Sequence, residues 1–156
     1  MTLNTLLRPL GLALVFFTLV SCGSDDAGRD YTGENDQEIR DYISENNLNA
    51  VKSDTGLYYV VTNPGNEGRP TPTDNVTVAY RGYFTNGNVF DQSGPEGISF
   101  NLNQVIAGWT EGITYFGEGG EGVLLIPSRL GYGNAGRGSI PGGAVLVFDI
   151  SLLSIN

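Results

Sequence analysis

Two stretches of the chain alternate apolar and polar residues, and this alternation limits the possible folds more than any other feature. They run from Val76 to Phe84 and from Ala144 to Ile155. A period of two places every second side chain on the same face of a β-strand. That face consists of Val76, Val78 and Tyr80 in the first stretch and of Leu146, Phe148, Ile150 and Leu152 in the second. The chain therefore requires a β-sheet with one buried face.

Shorter apolar runs predict the remaining strands of this sheet. The segments are Leu57 to Thr62, Asn88 to Asp91, Ile98 to Leu102 and Gly122 to Pro127. Asn86 and Gly87 favour a tight hairpin turn before the second of these segments, because both residue types tolerate the positive φ angles of such a turn.

One segment between the strands has helical spacing instead. Its apolar residues are Val105, Ile106, Trp109 and Ile113. They predict a helix of about three turns, with Asn103 as a candidate N-cap. Strands, one helix and further strands in that order predict an α+β domain, an antiparallel sheet with a single helix packed on it. Trp109 alone is compatible with a core side chain or with the floor of a site.

An earlier segment, Asn35 to Asn47, also predicts a helix. Ile39, Tyr42 and Ile43 lie at helical spacing, which gives this helix one apolar face. Asn35 or Asp36 could cap its start. We expect the helix to pack on the domain, and a dimerisation helix is the alternative.

Composition excludes several classes of function. The chain has no histidine and a single cysteine, which excludes an internal disulfide, a Ser-His-Asp triad, a Cys-His dyad and the usual zinc sites. The formal net charge of −9 argues against nucleic acid as a partner, because binding to phosphates requires clustered Lys and Arg.

Residues 1–21 have the pattern of a signal peptide. One basic residue, Arg8, precedes an apolar run from Leu10 to Val20, whose 11 residues are too few to span a bilayer. The run leads into Leu19-Val20-Ser21-Cys22, which resembles a bacterial lipobox. The resemblance implies cleavage before Cys22, lipidation of that cysteine and a membrane anchor, as in an outer-membrane lipoprotein of the cell envelope. The alternative is an ordinary secretory signal with an incidental cysteine.

Residues 22–34 predict an acidic, flexible tether between the anchor and the folded part. Five carboxylates and one arginine occur between Gly23 and Asp36, with too few apolar residues to form a core. Ser24-Asp25-Asp26 also resembles a short acidic signal that directs some bacterial lipoproteins to the cell surface. The expected organisation is then a signal peptide at 1–21, a tether at 22–34, a helix and connection at 35–56, and one domain at 57–156.

The motifs of that domain resemble the FKBP family of peptidyl-prolyl cis-trans isomerases. They occur in the family order with nearly the family spacing, from about Leu57 to Asn156. In order, they are Tyr80-x-Gly82, Phe90-Asp91, Val105-Ile106-x-Gly108-Trp109-x-Glu111-Gly112, Tyr132-Gly133 and Leu146-Val147-Phe148-Asp149. The resemblance implies a twisted, half-open antiparallel sheet wrapped around one short helix, with an aromatic pocket between them.

The resemblance also implies the roles of individual residues. Trp109 would be the floor of the pocket, with Tyr80, Phe90, Phe148, Ile98, Val105 and Ile106 around it and Ile140 on the loop after Tyr132. The Tyr132 hydroxyl and the Ile106 N–H would donate to substrate carbonyls, and Asp91 would be the one buried acid. Rotation about a peptide bond breaks no covalent bond, so no nucleophile, metal or cofactor is required.

The implied substrates are proline-containing polypeptides, and macrolide immunosuppressants are candidate ligands of the same pocket. We expect a monomer that accelerates rotation of X-Pro bonds in envelope or secreted proteins. The alternatives are a catalytically weak chaperone or peptide-binding module on the same fold, and an adhesion or interaction lipoprotein.

Four departures from the family bear on ligand preference. The loop from Gln92 to Gly97 is shorter than in small cytosolic members and lacks the arginine that often pairs with the pocket aspartate. Gln104 replaces a common glutamate, and Arg137 and Ser139 stand where more apolar residues are frequent.

Overall fold

The computed structural model describes residues 28–156, so the predicted signal peptide and Cys22 lie outside the described residues. The helices are α1 (Thr32–Glu45) and α2 (Ala107–Gly112). The strands are β1 (Val51–Lys52), β2 (Tyr58–Asn63), β3 (Asn75–Tyr83), β4 (Val89–Gln92), β5 (Ile98–Asn101), β6 (Gly120–Ile126) and β7 (Leu146–Ile155). Within residues 28–156, neither helix is long and apolar enough to cross a membrane.

The strands form one antiparallel sheet in the order β1-β2-β6-β7-β3-β4, and β5 also pairs with β3. The longest pairings join β7 to β6 on one side and to β3 on the other, which places the two alternating stretches next to each other. Gly87 has a φ of +85° in the turn between β3 and β4, whereas Asn86 does not have a positive φ, so only the glycine uses the conformation expected of both residues. The α+β fold predicted from the sequence is confirmed.

The core lies between α2 and the inner face of the sheet. The alternating residues of β3 and β7 lie on this face, as predicted, and Val78, Leu146 and Leu152 are fully buried there. Ile113 and Phe116, which follow α2, complete the same core and are also fully buried. Burial of apolar side chains is the main stabilising contribution to a domain of this size.

The helix α2 is shorter than the predicted three turns. Ile106 is its N-cap residue with an extended backbone, and Val105 before it is extended as well. Asn103 is not the cap of α2, because it belongs to a short 3₁₀ turn, and its own N–H donates to the side chain of Asn101. The apolar spacing that predicted three turns thus spans an extended segment, a helix and a second 3₁₀ turn.

The helix α1 packs on the outer face of the sheet and begins three residues before the predicted start at Asn35. Tyr31 is its N-cap residue, so Asn35 and Asp36 lie inside the helix and do not cap it. Its buried residue Ile39 contacts an apolar cluster on the outer face. That cluster comprises Tyr58, Tyr83, Leu125, Val145 and Val147. The prediction that this helix packs on the domain agrees with the structure.

Polar contacts add to the docking of α1. Asp36 accepts a hydrogen bond from the Tyr58 hydroxyl at 2.8 Å and forms an ion pair with Lys52 at 2.5 Å. The hydrogen bond from Lys52 is the largest cause of the lowered pKa of Asp36. The Tyr42 hydroxyl of α1 donates to the Tyr83 hydroxyl at 3.3 Å, and the Tyr83 hydroxyl in turn donates to Asp149 on β7 at 2.9 Å. Burial raises the pKa of Tyr83.

Two Gly→Ala changes on helices should shift stability in opposite directions. A Cβ at Gly108 would lie 2.5 Å from the Ile126 side chain, so this glycine permits close packing of α2 on β6. Overpacking of this kind typically costs about 1–3 kcal/mol. A Cβ at Gly33 in α1 would meet nothing within 4 Å, so Gly33→Ala should stabilise by about 0.4–1 kcal/mol. Urea unfolding of both variants checks this, and a stabilising Gly108→Ala would contradict the observed packing.

Candidate active site

A pocket of about 690 Å³ opens between α2 and the inner face of the sheet. All ten residues that the sequence predicted for the site line it. They are Tyr80 on β3, Phe90 and Asp91 on β4, Ile98 on β5, Val105 and Ile106 before α2, Trp109 on α2, Tyr132 and Ile140 on the loop after β6, and Phe148 on β7. Residues separated by up to 68 positions in the chain thus share one cavity.

The deep part of the pocket is a cluster of aromatic rings in contact. The Trp109 ring lies 5.0 Å from that of Tyr80 and 5.1 Å from that of Phe148, with interplanar angles of 89° and 83°. Phe90 meets Phe148 at 5.5 Å and 83°. These edge-to-face arrangements are favourable, because the positive edge of one ring faces the negative face of another. Trp109 and Phe148 are each only 5% exposed, so the floor of the pocket is aromatic and almost fully buried.

Three hydrogen-bond donors of the pocket residues have no partner among residues 28–156. The backbone N–H of Ile106 has no backbone partner within residues 28–156, because the helix only begins after it. In the same part of the chain, the Tyr132 hydroxyl is also without a hydrogen-bond partner, although the Arg137 guanidinium lies over its ring at 5.6 Å. The buried Trp109 Nε1–H is unpaired among the described residues as well. A ligand with carbonyl groups could accept from such donors.

Asp91 differs from the sequence-based expectation, since it is exposed instead of buried. Its Oδ2 accepts a hydrogen bond from the Tyr80 hydroxyl at 2.7 Å. The reason is its place on β4, which is paired only with β3 and continues into the short loop that begins at Gln92. The carboxylate therefore fixes the outer end of Tyr80, and none of the arginines between residues 28 and 156 pairs with it.

Five pocket residues lie outside the ten that were predicted, namely Phe100, Gln104, Arg137, Gly138 and Ser139. The Phe100 ring lies 5.3 Å from the Trp109 ring. A signal for Phe100 was present, because it is two residues from Ile98 on the same strand and therefore shares its face. Ile98 itself is 48% exposed. The aromatic side chain that packs against Trp109 from this strand is therefore Phe100.

Tyr80 should remain a neutral phenol throughout the physiological pH range. Burial, together with the hydrogen bond to Asp91, raises the pKa of Tyr80 to about 12. The pKa of Tyr80 is higher in the folded state than in the unfolded state, where it is about 10. The neutral Tyr80 side chain therefore contributes to the stability of the fold below about pH 10, and this contribution is lost as the pH rises through about 12.

The corresponding prediction is a late-titrating tyrosine. In a rapid-mixing titration at 295 nm, the difference between wild type and Tyr80→Phe should show a midpoint near pH 12. With no histidine in the chain, kcat/KM should also stay flat between about pH 6 and pH 9. A difference titration with a midpoint at or below about pH 10 would contradict the observed environment of Tyr80.

The described residues offer no obvious metal centre: between residues 28 and 156, no three His, Cys, Asp or Glu side chains cluster closely enough to hold an ion. The pocket is suited to an apolar ring flanked by carbonyl groups, because its floor is aromatic and the residues around it carry free donors.

The family model for FKBP-type peptidyl-prolyl cis-trans isomerases matches residues 66–153, more than half of the chain. The protein therefore belongs to this family.

Relatives from several bacteria support the assignment. The chain is 44% identical over 126 residues to the FKBP-type peptidyl-prolyl cis-trans isomerase FkpA of Aeromonas hydrophila, covering 78% of this chain and 47% of that protein. It is 44% identical over 105 residues to FkpA of Escherichia coli K12, covering 66% of this chain and 39% of that protein. The chain thus spans less than half the length of these relatives.

Solved structures share the fold. The crystal structure of FkpA from Escherichia coli matches 80% of this chain and 61% of its own, with a TM-score of 0.71 and 37% identity. A peptidyl-prolyl cis-trans isomerase from Pseudomonas syringae matches 80% of this chain and 96% of its own, with a TM-score of 0.69 and 29% identity.

Proposed function

We propose that the protein is a peptidyl-prolyl cis-trans isomerase that binds an X-Pro segment in the aromatic pocket. The observation that carries this proposal is the pocket itself. Four aromatic rings and two unpaired donors, which belong to different motifs along the chain, lie around one cavity. Its substrates are proline-containing polypeptides.

The uncatalysed reaction is slow because of amide resonance. Rotation about a peptide bond has a barrier of about 18–20 kcal/mol, and X-Pro bonds exchange in tens to hundreds of seconds. In the twisted transition state the amide has lost its resonance and much of its dipole. An apolar pocket that excludes water disfavours the planar, polar ground state more than the twisted one. The reaction then needs only binding, desolvation and orientation.

Each part of the pocket has a role in this mechanism. The prolyl ring rests on Trp109 between Tyr80, Phe90 and Phe148, whose rings are held by mutual edge contacts. The Tyr132 hydroxyl and the Ile106 N–H donate to the carbonyls that flank the rotating bond. Asp91 acts indirectly, because its carboxylate holds the Tyr80 hydroxyl at the rim.

A rate measurement tests the proposal. The purified full chain should accelerate cis-trans exchange of a Leu-Pro or Phe-Pro peptide above the rate in buffer. If the protein suppressed aggregation of a proline-free client without accelerating this reaction, the proposed function would instead be that of a chaperone or peptide-binding module on the same fold.

The role of Asp91 gives a separate prediction. Asp91→Ala should lower kcat/KM about two- to tenfold, the equivalent of one ordinary hydrogen bond, because the Tyr80 hydroxyl loses its acceptor. Tyr80→Phe should have a similar effect, and the double variant should be no worse than the single ones. Glu96→Ala, at another exposed carboxylate nearby, is the control and should change nothing. If the losses in kcat/KM from Asp91→Ala and Tyr80→Phe were additive in the double variant, Asp91 would not act through Tyr80.

We propose further that Cys22 carries a lipid and that the protein is an outer-membrane lipoprotein of the cell envelope. The support is the lipobox-like sequence Leu19-Val20-Ser21-Cys22 after an apolar run, followed by an acidic stretch. Cys22→Ser should move the protein from the membrane fraction to the soluble fraction. Unchanged membrane association would exclude the anchor.

The proposed working form is a monomer, since a single chain supplies every side chain of the pocket. Macrolide immunosuppressants are proposed ligands of the same cavity. Arg137 and Ser139 line its mouth and bear on the affinity. Competition of a macrolide with a proline peptide in the exchange assay measures it.

A further inference from the structure

The most deeply buried polar side chain of α1 makes its hydrogen bonds outside the sheet. Asn35 is only 2% exposed, and its amide makes two hydrogen bonds to distant backbone groups. Its Nδ2 donates to the carbonyl of Gly143 at 2.8 Å, and its Oδ1 accepts from the N–H of Ser128 at 2.8 Å. Buried backbone groups need such partners, so a single amide satisfies two of them at once.

Those two partners are the ends of the loop that forms one side of the pocket. This segment, residues 128–143, is called the rim loop; it lies between β6 and β7 and carries Tyr132 and Ile140. Ser128 and Gly143 lie outside the strands, so the pairing of β6 with β7 does not hold them.

Backbone hydrogen bonds inside the rim loop close a ring through Asn35. The Gly133 N–H donates to the Ser128 carbonyl at 2.7 Å, and the Gly143 N–H donates to the Gly133 carbonyl at 2.9 Å. With the two bonds of the Asn35 amide, four residues form a closed circuit. Tyr132 directly precedes Gly133, so the circuit fixes the backbone that carries the Tyr132 hydroxyl.

The segment before α1 adds two more contacts to the rim loop. The Asn134 side chain donates to the backbone carbonyl of Arg29 at 2.6 Å. The Tyr31 ring packs against Gly143 so closely that a Cβ there would lie 2.3 Å from Tyr31 Cε1. The N-terminal segment therefore contacts the rim loop near its start, middle and end.

We infer that α1 is a working part of the isomerase site and that Asn35 is a positioning residue, which holds the rim loop so that Tyr132 faces the bound substrate. This inference rests on the proposed function. Catalysis that depends on orientation is sensitive to displacements of about 1 Å, so loosening the loop should reduce activity even when the domain remains folded.

The test compares two truncations on the same helix. Asn35→Ala removes the clamp, whereas Ile39→Ala opens a cavity under α1 and leaves both Asn35 hydrogen bonds to the rim loop in place. Asn35→Ala should lower kcat/KM for a Leu-Pro peptide about two- to tenfold, mostly through KM. Ile39→Ala should lower Tm at least as much and leave the kcat/KM of the folded molecules unchanged.

A double-variant series shows whether Asn35 acts through Tyr132. Tyr132→Phe alone should lower kcat/KM, and adding Asn35→Ala should lower it little further. Amide exchange of Ser128 and Gly143 supplies a readout independent of activity, since both amides are protected in the wild-type circuit and should exchange faster in Asn35→Ala. Asn35→Ser serves as the second variant if Asn35→Ala does not fold.

The outcomes separate this inference from the proposed function. An active wild type with unchanged kcat/KM in the Asn35 variants, or with losses that add fully to those of Tyr132→Phe, would overturn the positioning role alone. If the wild-type protein did not accelerate cis-trans isomerisation of the peptide above the rate in buffer, the isomerase assignment would be wrong. The hydrogen-exchange rates of the Ser128 and Gly143 amides would still show whether Asn35 holds the rim loop.

Discussion

Phe148→Ala should lower the free energy of unfolding by about 3–5 kcal/mol and reduce kcat/KM at least tenfold. Phe148 is 5% exposed and its ring contacts those of Tyr80, Phe90 and Trp109, so truncation leaves a cavity at the centre of the aromatic cluster. Urea unfolding measures the first effect, and exchange of a Leu-Pro peptide measures the second.

Leu152→Ala is the matched control for this prediction. Leu152 lies on the same face of β7 and is fully buried, but it does not line the pocket. It should cost about 2–5 kcal/mol of stability and leave the kcat/KM of the folded molecules unchanged. Equal kinetic effects of the two truncations would make Phe148 a core residue without a special role in the site.

Gly82→Ala should distort the pocket without adding a polar group. A Cβ at Gly82 would lie 2.7 Å from Phe148 Cε1 and 2.7 Å from Phe90 Cε2, closer than carbon atoms approach. The two rings must move apart, which should cost about 1–3 kcal/mol of stability. A shift of about 1 Å at the pocket wall should lower kcat/KM about 10- to 100-fold.

Gly68→Ala is the corresponding control, because a Cβ at Gly68 would meet nothing within 4 Å and no positive φ is required there. It should leave both stability and activity close to wild type. If Gly82→Ala left stability and activity as close to wild type as Gly68→Ala does, the contact between Phe90 and Phe148 would not require a glycine at position 82.

Much of the fold and of the pocket could be predicted from the sequence. The alternation of apolar and polar residues identified strands β3 and β7, because a sheet that is buried on one face has an apolar residue at every second position. The resemblance to the FKBP family implied that ten residues line one cavity, and the structure brings all ten together. Strand β1, with only two residues, Val51 and Lys52, carries too little pattern to be recognised.

The features that could not be predicted depend on tertiary contacts. Asn35 has the pattern of a helix cap in the sequence, whereas its partners lie 93 and 108 residues away. The burial of Asp91 depends on what covers β4, and the short loop after it leaves this carboxylate exposed. The space beside Gly108 is filled by Ile126 of β6, a contact between distant residues that the local sequence does not indicate.

The most direct test of the central claim uses the only tryptophan of the chain, Trp109, as a reporter at the pocket floor. A Leu-Pro peptide should change its fluorescence, with half-saturation equal to the KM for isomerisation of that peptide, and a matched Leu-Ala peptide should leave it unchanged. Fluorescence that remains constant while the protein isomerises the Leu-Pro peptide would place the reaction away from Trp109 and contradict the proposed site.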